Sequence, residues 1–346
     1  MSRAVLVQNM GDPYILAACL AGLKFCKNEV DKVYVLVHTK ADLRVAEYCK
    51  YLVKQAGFVC HLEAGRFLPN HGPCIDYLLE RCNEDYVVLV EEDGWILRPG
   101  ALDEQFKLLE NGTYDVIGST RACTTEELVR TTVRRFNLTG TSPEHQVTSC
   151  PNLWPNFVFA KRDHLLKTDR DFGAKAFYPS EYIEELDFTP QIRIDADTFV
   201  WTSIQLRAQG LKFGYVHQYH CGPVDRQDYY RRSGLFAEPN LPWVHFGSLS
   251  SSMSGHVKTP DNISIGSGEY GEYYPQFDAH TAEEVSRRMV AYELCLEKYP
   301  ILAPGPVDFN DTYKFALQHT NQKCNMPLSF IQDLKIVYKD LLNKIL

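Results

Sequence analysis

The sequence predicts an α/β protein: a mostly parallel sheet flanked by helices, followed by a loop-rich and helical C-terminal extension. Three observations predict it. Short β-branched runs alternate with helical apolar patterns through the first third of the chain. Four consecutive apolar residues, Val87 to Val90, read as a strand buried on both faces, the kind found in parallel sheets. Proline and glycine stand where helices should open and close between these runs.

The first strand is AVLVQN, Ala4 to Asn9, and Asp12 with Pro13 forms the N-cap and first turn of a helix carrying Leu16, Leu20 and Leu23 inward. VYVLVHT, Val33 to Thr39, is the second strand, Asp42 to Gln55 the second helix, and FVCHLEA the third strand. Gly72 and Pro73 open a helix with Ile75, Leu78 and Leu79 on its inner face, and this leads into YVVLVEEDGWI. YDVIGST and WPNFVFA are further strands. RIDAD precedes a helix with Val200, Ile204 and Ala208 inward and Gly210 as its stop, and LKFGYVHQYH reads as one more strand. Beyond Cys221 the chain is rich in Tyr, Gly, Ser and Pro to about Asp278, and from Thr281 it is helical to the end. The expected division is a catalytic domain over 1–250 and an extension over 251–346.

At 346 residues the chain has room for a sizeable core, and a net charge of −8 argues against a surface that grips nucleic acid or anionic lipid throughout. No apolar run approaches the roughly 20 residues that cross a bilayer. The opening residues run straight into a strand, with no secretory leader, so the expectation is a cytoplasmic protein. The 11 cysteines are scattered through apolar patterns without a CxxC pair, which suits reduced, buried thiols and not a disulfide framework or a zinc-cysteine site. The Asn-x-Ser/Thr triplets at Asn111, Asn137, Asn262 and Asn310 are then chance matches.

The chemistry concentrates where the buried strand ends in Glu91, Glu92 and Asp93. Residues two apart on an extended segment point the same way, so Glu91 and Asp93 converge while Glu92 faces elsewhere. Carboxylates stacked at the C-terminal end of a strand, where open α/β sheets bind ligands, repel each other unless a cation neutralises them. A hard divalent ion that also bridges a diphosphate takes one or two carboxylates and leaves its other positions to water and phosphate oxygens. The bland reading of the same residues is a solvated acidic turn.

NHGPCIDYLLERCNEDYVVLVEEDGWI resembles the helix, buried strand and D-x-D-type motif that follow one another in GT-A-fold, family-2-like glycosyltransferases, here with Glu at the first position of the motif. The resemblance runs, more loosely, to about Ser250 and implies a GT-A-like, Rossmann-type sheet. It implies a metal-assisted and inverting transfer of a sugar from a nucleoside-diphosphate sugar to an acceptor hydroxyl, with Mn²⁺ or Mg²⁺ as cofactor. On the same resemblance, Glu91 and Asp93 are metal ligands. Gln8, Asn9, His38, Asn70 and Glu92 take the nucleotide side of the site. The third ligand is His245, in PWVHFGSLSSS, or else His220 at the end of the preceding strand. Asp197, just before a helix, is the general base, with Asp195 in reserve. An aspartate at that place is also a ready helix cap.

The acceptor stays open between a glycan, a lipid-linked and a nucleic-acid molecule. Arg130, Arg134 and Arg135 at helical spacing, and Arg226, Arg231 and Arg232 interleaved with Tyr229 and Tyr230, could hold phosphates or stacked rings or simply form solvated basic faces. The last helix, with Leu334, Val337, Leu341, Leu342 and Ile345 on one face, offers a contact to its own domain, to a second copy in a homodimer, or to a membrane surface. Two other classes compete. A nucleotidyltransferase usually carries a Gly-rich phosphate loop with Arg or Lys after its first strand, and QNMGDP has neither. A catalytically inactive, glycan- or nucleic-acid-binding relative would have carboxylates that bind no metal.

Overall fold

The computed structural model of the chain describes residues 1–9, 13–39, 43–64, 71–96, 98–119, 125–138, 152–216, 219–220 and 242–245. Asn70, the segment with Arg226, Arg231 and Arg232, the expected boundary near residue 250 and the extension over 251–346 lie outside these.

The first third follows its hydrophobic periodicity closely. Strand β1 (Arg3–Asn9) leads to helix α1 (Pro13–Phe25), β2 (Lys32–Thr39) to α2 (Leu43–Ala56), and β3 (Val59–Ala64) to α3 (His71–Arg81), which feeds β4 (Tyr86–Glu91). These four strands are parallel and lie in the order β4-β1-β2-β3. Ala4, Leu6, Tyr34, Leu36, Val87 and Leu89 form one buried face, covered by Ile75, Leu78 and Leu79 of α3. Alternation along each strand sends Val5, Val7, Val35, Val37, Val88 and Val90 to the opposite face, and these are buried as well. A sheet covered on both sides leaves only the strand ends for polar work.

Strand β4 ends at the acidic run, as expected. The chain turns at Glu92 and Asp93, and Gly94 starts a separate short strand, β5 (Gly94–Ile96). Helix α4 (Ala101–Glu110), β6 (Val116–Gly118), α5 (Glu126–Phe136), β7 (Val158–Lys161) and the short α6 (Arg162–Leu166) follow. Arg130, Arg134 and Arg135 are exposed on α5. Strand β8 (Lys175–Phe177), which the sequence pattern does not show, pairs antiparallel with β9 (Ile194–Ala196) in a two-stranded sheet apart from the main one. Helix α7 (Val200–Ala208) buries Val200 and Ile204 as expected, but Ala208 in its last turn is exposed, and Gly210 at φ 77° ends the segment.

The expected strand LKFGYVHQYH is two pieces. Its first part is β10 (Phe213–Tyr215), the edge of the main sheet. Its second, β11 (Tyr219–His220), pairs with β12 (Trp243–His245), which in turn pairs antiparallel with β5. The complete main sheet runs β10-β6-β7-β4-β1-β2-β3, with β7 antiparallel to both of its neighbours and the other pairs parallel. The six described cysteines are free thiols, five of them buried. Among the described residues no helix is long and apolar enough to cross a membrane.

Phe159 of β7 joins the sheet to its covering layers: fully buried, its ring meets Phe106 of α4 edge-on at 5.2 Å and Trp243 of β12 at 5.6 Å. Phe159→Ala should destabilise the protein by about 3–5 kcal/mol, the usual cost of an aromatic cavity. Urea unfolding should show this as a lower midpoint at an unchanged slope.

Candidate metal centre

Parallel pairing brings the C-terminal ends of β1, β2 and β4 to one edge of the sheet. Gln8 stands in register with Glu91, and Asn9 follows at the last position of β1. His38 arrives at the end of β2, and Cys74 of α3 sets its thiol 3.1 Å from His38 Nε2. Burial first, and the charge of Glu92 second, push the Cys74 thiol up, so it is a neutral packing group. Gln8, Asn9 and His38 are all buried.

The turn after β4 does what an extended strand was expected to do. Glu91 and Asp93 converge across it, and His245 meets both: its Nε2 lies 3.0 Å from Glu91 Oε2 and 3.1 Å from Asp93 Oδ1. The pairing of β12 with β5 sets this up, because its register places His245 opposite Gly94, next to Asp93. Glu92 turns to β1, where Asn9 Nδ2 donates to Glu92 Oε2. All four side chains are buried, His245 almost completely.

A third segment closes the site. Trp154 donates its indole N–H to Glu91 Oε2 at 3.0 Å, and its ring meets His245 edge-on with centroids 4.8 Å apart. Asn156 Oδ1 accepts the backbone N–H of Glu91 at 3.1 Å. Gly94 makes room for that amide: a Cβ there would sit 2.5 Å from Asn156 Oδ1. Phe157, at φ 55°, then turns the chain into β7 and stacks on Trp243 at 4.5 Å.

The donor set fits a divalent cation. Among the described residues Glu91, Asp93 and His245 form the group able to hold a metal ion, with one ligand atom from each all within 4.8 Å of one another. An ion bound at about 2.1 Å needs ligand atoms roughly 3–4 Å apart, so a small contraction suffices. Two carboxylate oxygens and one imidazole nitrogen suit Mn²⁺ and tolerate Mg²⁺. Burial alone would pull the His245 imidazole below its usual 6.5, but Asp93 and then Glu91 outweigh it and push it up to about 9.

The remaining expected site residues divide. His220 is in register with His245 on the adjacent strand, but its side chain lies outside the described residues, as does Asn70. Asp195 points outward, 67% exposed, and pairs with Arg193 at 2.8 Å. Asp197 is half-buried and its Oδ1 accepts the N–H of Thr198 at 2.7 Å. The cap position of α7 falls instead to Phe199, which provides no side-chain cap. Phe199 donates its backbone N–H to Phe172 O, and Gly173 lies so close to Gly72 that a Cβ on the latter would be 2.6 Å from its amide nitrogen. The turn holding Asp197 is thereby tied to the first turn of α3, which opens at the binding edge of the sheet. Trp154 and Asn156 were not singled out by the sequence. Of the expected strand WPNFVFA only the end is strand, in β7, and nothing in its pattern says that its first residues leave the sheet and reach the acidic turn.

No protein-family model matches the chain, and no curated protein matches it. Among solved structures the chain is similar to glucosyl-3-phosphoglycerate synthase from Mycobacterium tuberculosis in complex with Mn²⁺, UDP-glucose and phosphoglyceric acid, at 16% identity and a TM-score of 0.35, covering 62% of this chain and 69% of that one. The same synthase with UDP gives 17% and 0.36 over the same shares, and with Mg²⁺ and UDP 15% and 0.34 over 47% of this chain and 57% of that one. What the site can do follows from its own side chains.

A cation held through His245 Nε2 would have to displace a proton from that ring. The raised value means that the imidazolium's stabilisation is fully present below pH 6.5 and is lost as the pH rises through about 9. Metal affinity should therefore climb with pH across that window, by roughly tenfold per unit while one proton is displaced, and level off above it. Calorimetry with Mg²⁺ at several pH values, in buffers of different ionisation enthalpy, should show the climb and the released proton.

Proposed function

We propose that the chain is a metal-dependent glycosyltransferase of GT-A type, moving a sugar from a nucleoside-diphosphate sugar to an acceptor hydroxyl. The observation that carries this is the buried Glu91, Asp93 and His245 cluster at the C-terminal edge of a parallel sheet, beside Gln8, Asn9 and His38. A purely structural acidic turn would face water; this one is enclosed and gathers an imidazole from a strand about 150 residues away.

In this reading Glu91, Asp93 and His245 hold Mn²⁺ or Mg²⁺. When bound, the ion supplies Lewis-acid neutralisation of the departing diphosphate. Gln8, Asn9 and His38 line the nucleotide side, with Asn9 also holding Glu92 out of the ligand set. Asp197 is the base that takes the acceptor's proton in an inverting transfer. Its support is the turn that ties it to the start of α3. Asp195, turned outward beside Arg193, is the weaker candidate. The acceptor is a hydroxyl compound whose class is set by the surrounding loops.

A panel of nucleoside-diphosphate sugars with Mn²⁺, followed by release of free nucleoside diphosphate, tests the activity. The wild-type protein should turn over at least one donor and EDTA should stop it. Asp93→Asn should lose both transfer and donor hydrolysis while remaining folded by circular dichroism. Turnover by Asp93→Asn at the wild-type level would sink the metal-centred reading.

Asparagine at 197 keeps the local hydrogen-bond acceptor but cannot take a proton. Asp197→Asn should melt close to wild type, bind donor and metal normally, and transfer roughly 10²–10⁴-fold more slowly, the usual worth of positioned proton transfer. Survival of transfer within a few-fold would remove Asp197 from the chemistry.

A further inference from the structure

Trp154 is tied to the metal centre by contacts that packing alone does not require. Its indole N–H reaches Glu91 Oε2, the same oxygen that lies 3.0 Å from His245 Nε2, while the ring lies edge-on to that imidazole. An indole has a donor and no acceptor, so it cannot itself ligate a cation. A carboxylate oxygen has two lone pairs, and a fixed donor on one of them leaves the other aimed in one direction.

The backbone beneath the same carboxylate is held from the same segment. Extending the β4–β7 register by two residues would set Glu91 opposite Asn156, where a ladder bond to the backbone is expected. Phe157 in the left-handed region breaks the ladder, and the Asn156 side chain accepts the Glu91 N–H in its place. Glu91 is thus fixed at its main chain by Asn156 and at its carboxylate by Trp154. From this geometry we propose that Trp154 is a positioning residue that holds the Glu91 carboxylate in its metal-binding orientation. The proposal rests on the metal-centred reading above.

The test uses the full chain and Mn²⁺ alone, with binding followed by electron paramagnetic resonance of the free ion. Trp154→Phe keeps a ring against His245 and removes the N–H. Trp201→Phe is the control, since it removes an indole-to-carboxylate bond of 2.6 Å to Asp169, a residue outside the cluster. Loss of an orienting partner typically weakens metal binding 10–100-fold, so Trp154→Phe should raise the Mn²⁺ dissociation constant by about that factor while Trp201→Phe changes it by less than about twofold. Equal binding by Trp154→Phe and wild type overturns the positioning role and leaves the metal centre standing. Absence of Mn²⁺ binding by the wild type overturns both.

If Trp154→Phe does not fold, indole NMR on the Trp201→Phe protein decides. With Trp201 gone, the downfield indole signal expected of the Trp154 bond to Glu91 should shift as Mg²⁺ is added, in step with calorimetric binding. A signal that stays in place overturns the proposal.

Discussion

Burying Glu91, Glu92 and Asp93 side by side is the constraint around which the binding edge of this sheet is arranged. None is more than 7% exposed. At an effective dielectric near 20, two unit charges about 4 Å apart repel by about 4 kcal/mol, so the run needs a positive or donating group for each carboxylate. These come from three different places in the fold: Asn9 from β1 for Glu92, Trp154 from the approach to β7 for Glu91, and His245 from β12 for Glu91 and Asp93 together. One imidazole against three carboxyl groups leaves an acidic cluster, and a divalent cation would relieve its repulsion.

The two kinds of partner sort the three acids into roles. Glu92 is held by a neutral amide on the neighbouring strand, a contact that uses none of the space between Glu91 and Asp93. Those two share a titrating partner, and a proton can leave where a fixed amide cannot. The arrangement therefore separates a carboxylate held by the neighbouring strand from two that share one imidazole, although all three follow one another in sequence.

What was legible in the sequence was local. The apolar run ending in three acids fixed β4 and the convergence of Glu91 with Asp93, because spacing of one or two residues needs no tertiary knowledge. Even there the reasoning was incomplete, since Glu91 and Asp93 meet across a turn and not along a strand. His245 was one of two candidates. The choice between it and His220 depends on the register of β12 with β5, a pairing between segments about 150 residues apart that leaves no trace in periodicity. Trp154 was illegible for the same reason, and so was the shift of the α7 cap from Asp197 to Phe199.

The antiparallel strand explains how such distant residues are delivered. A parallel strand brings only its C-terminal end to the binding edge, and β1, β2 and β4 contribute Gln8, Asn9, His38 and Glu91 in that way. Strand β7 runs the other way between β6 and β4, so the residues that precede it, not those that follow, pass over that edge. Trp154 and Asn156 are in that approach, and the left-handed turn at Phe157 presses its ring onto Trp243, two residues before His245. The same stack that seats β12 on the sheet thus fixes the distance between the imidazole and the carboxylates. A displacement of β7 would disturb Glu91 and His245 together, so the strand that looks least like the rest of the sheet is the one that couples this carboxylate to this imidazole.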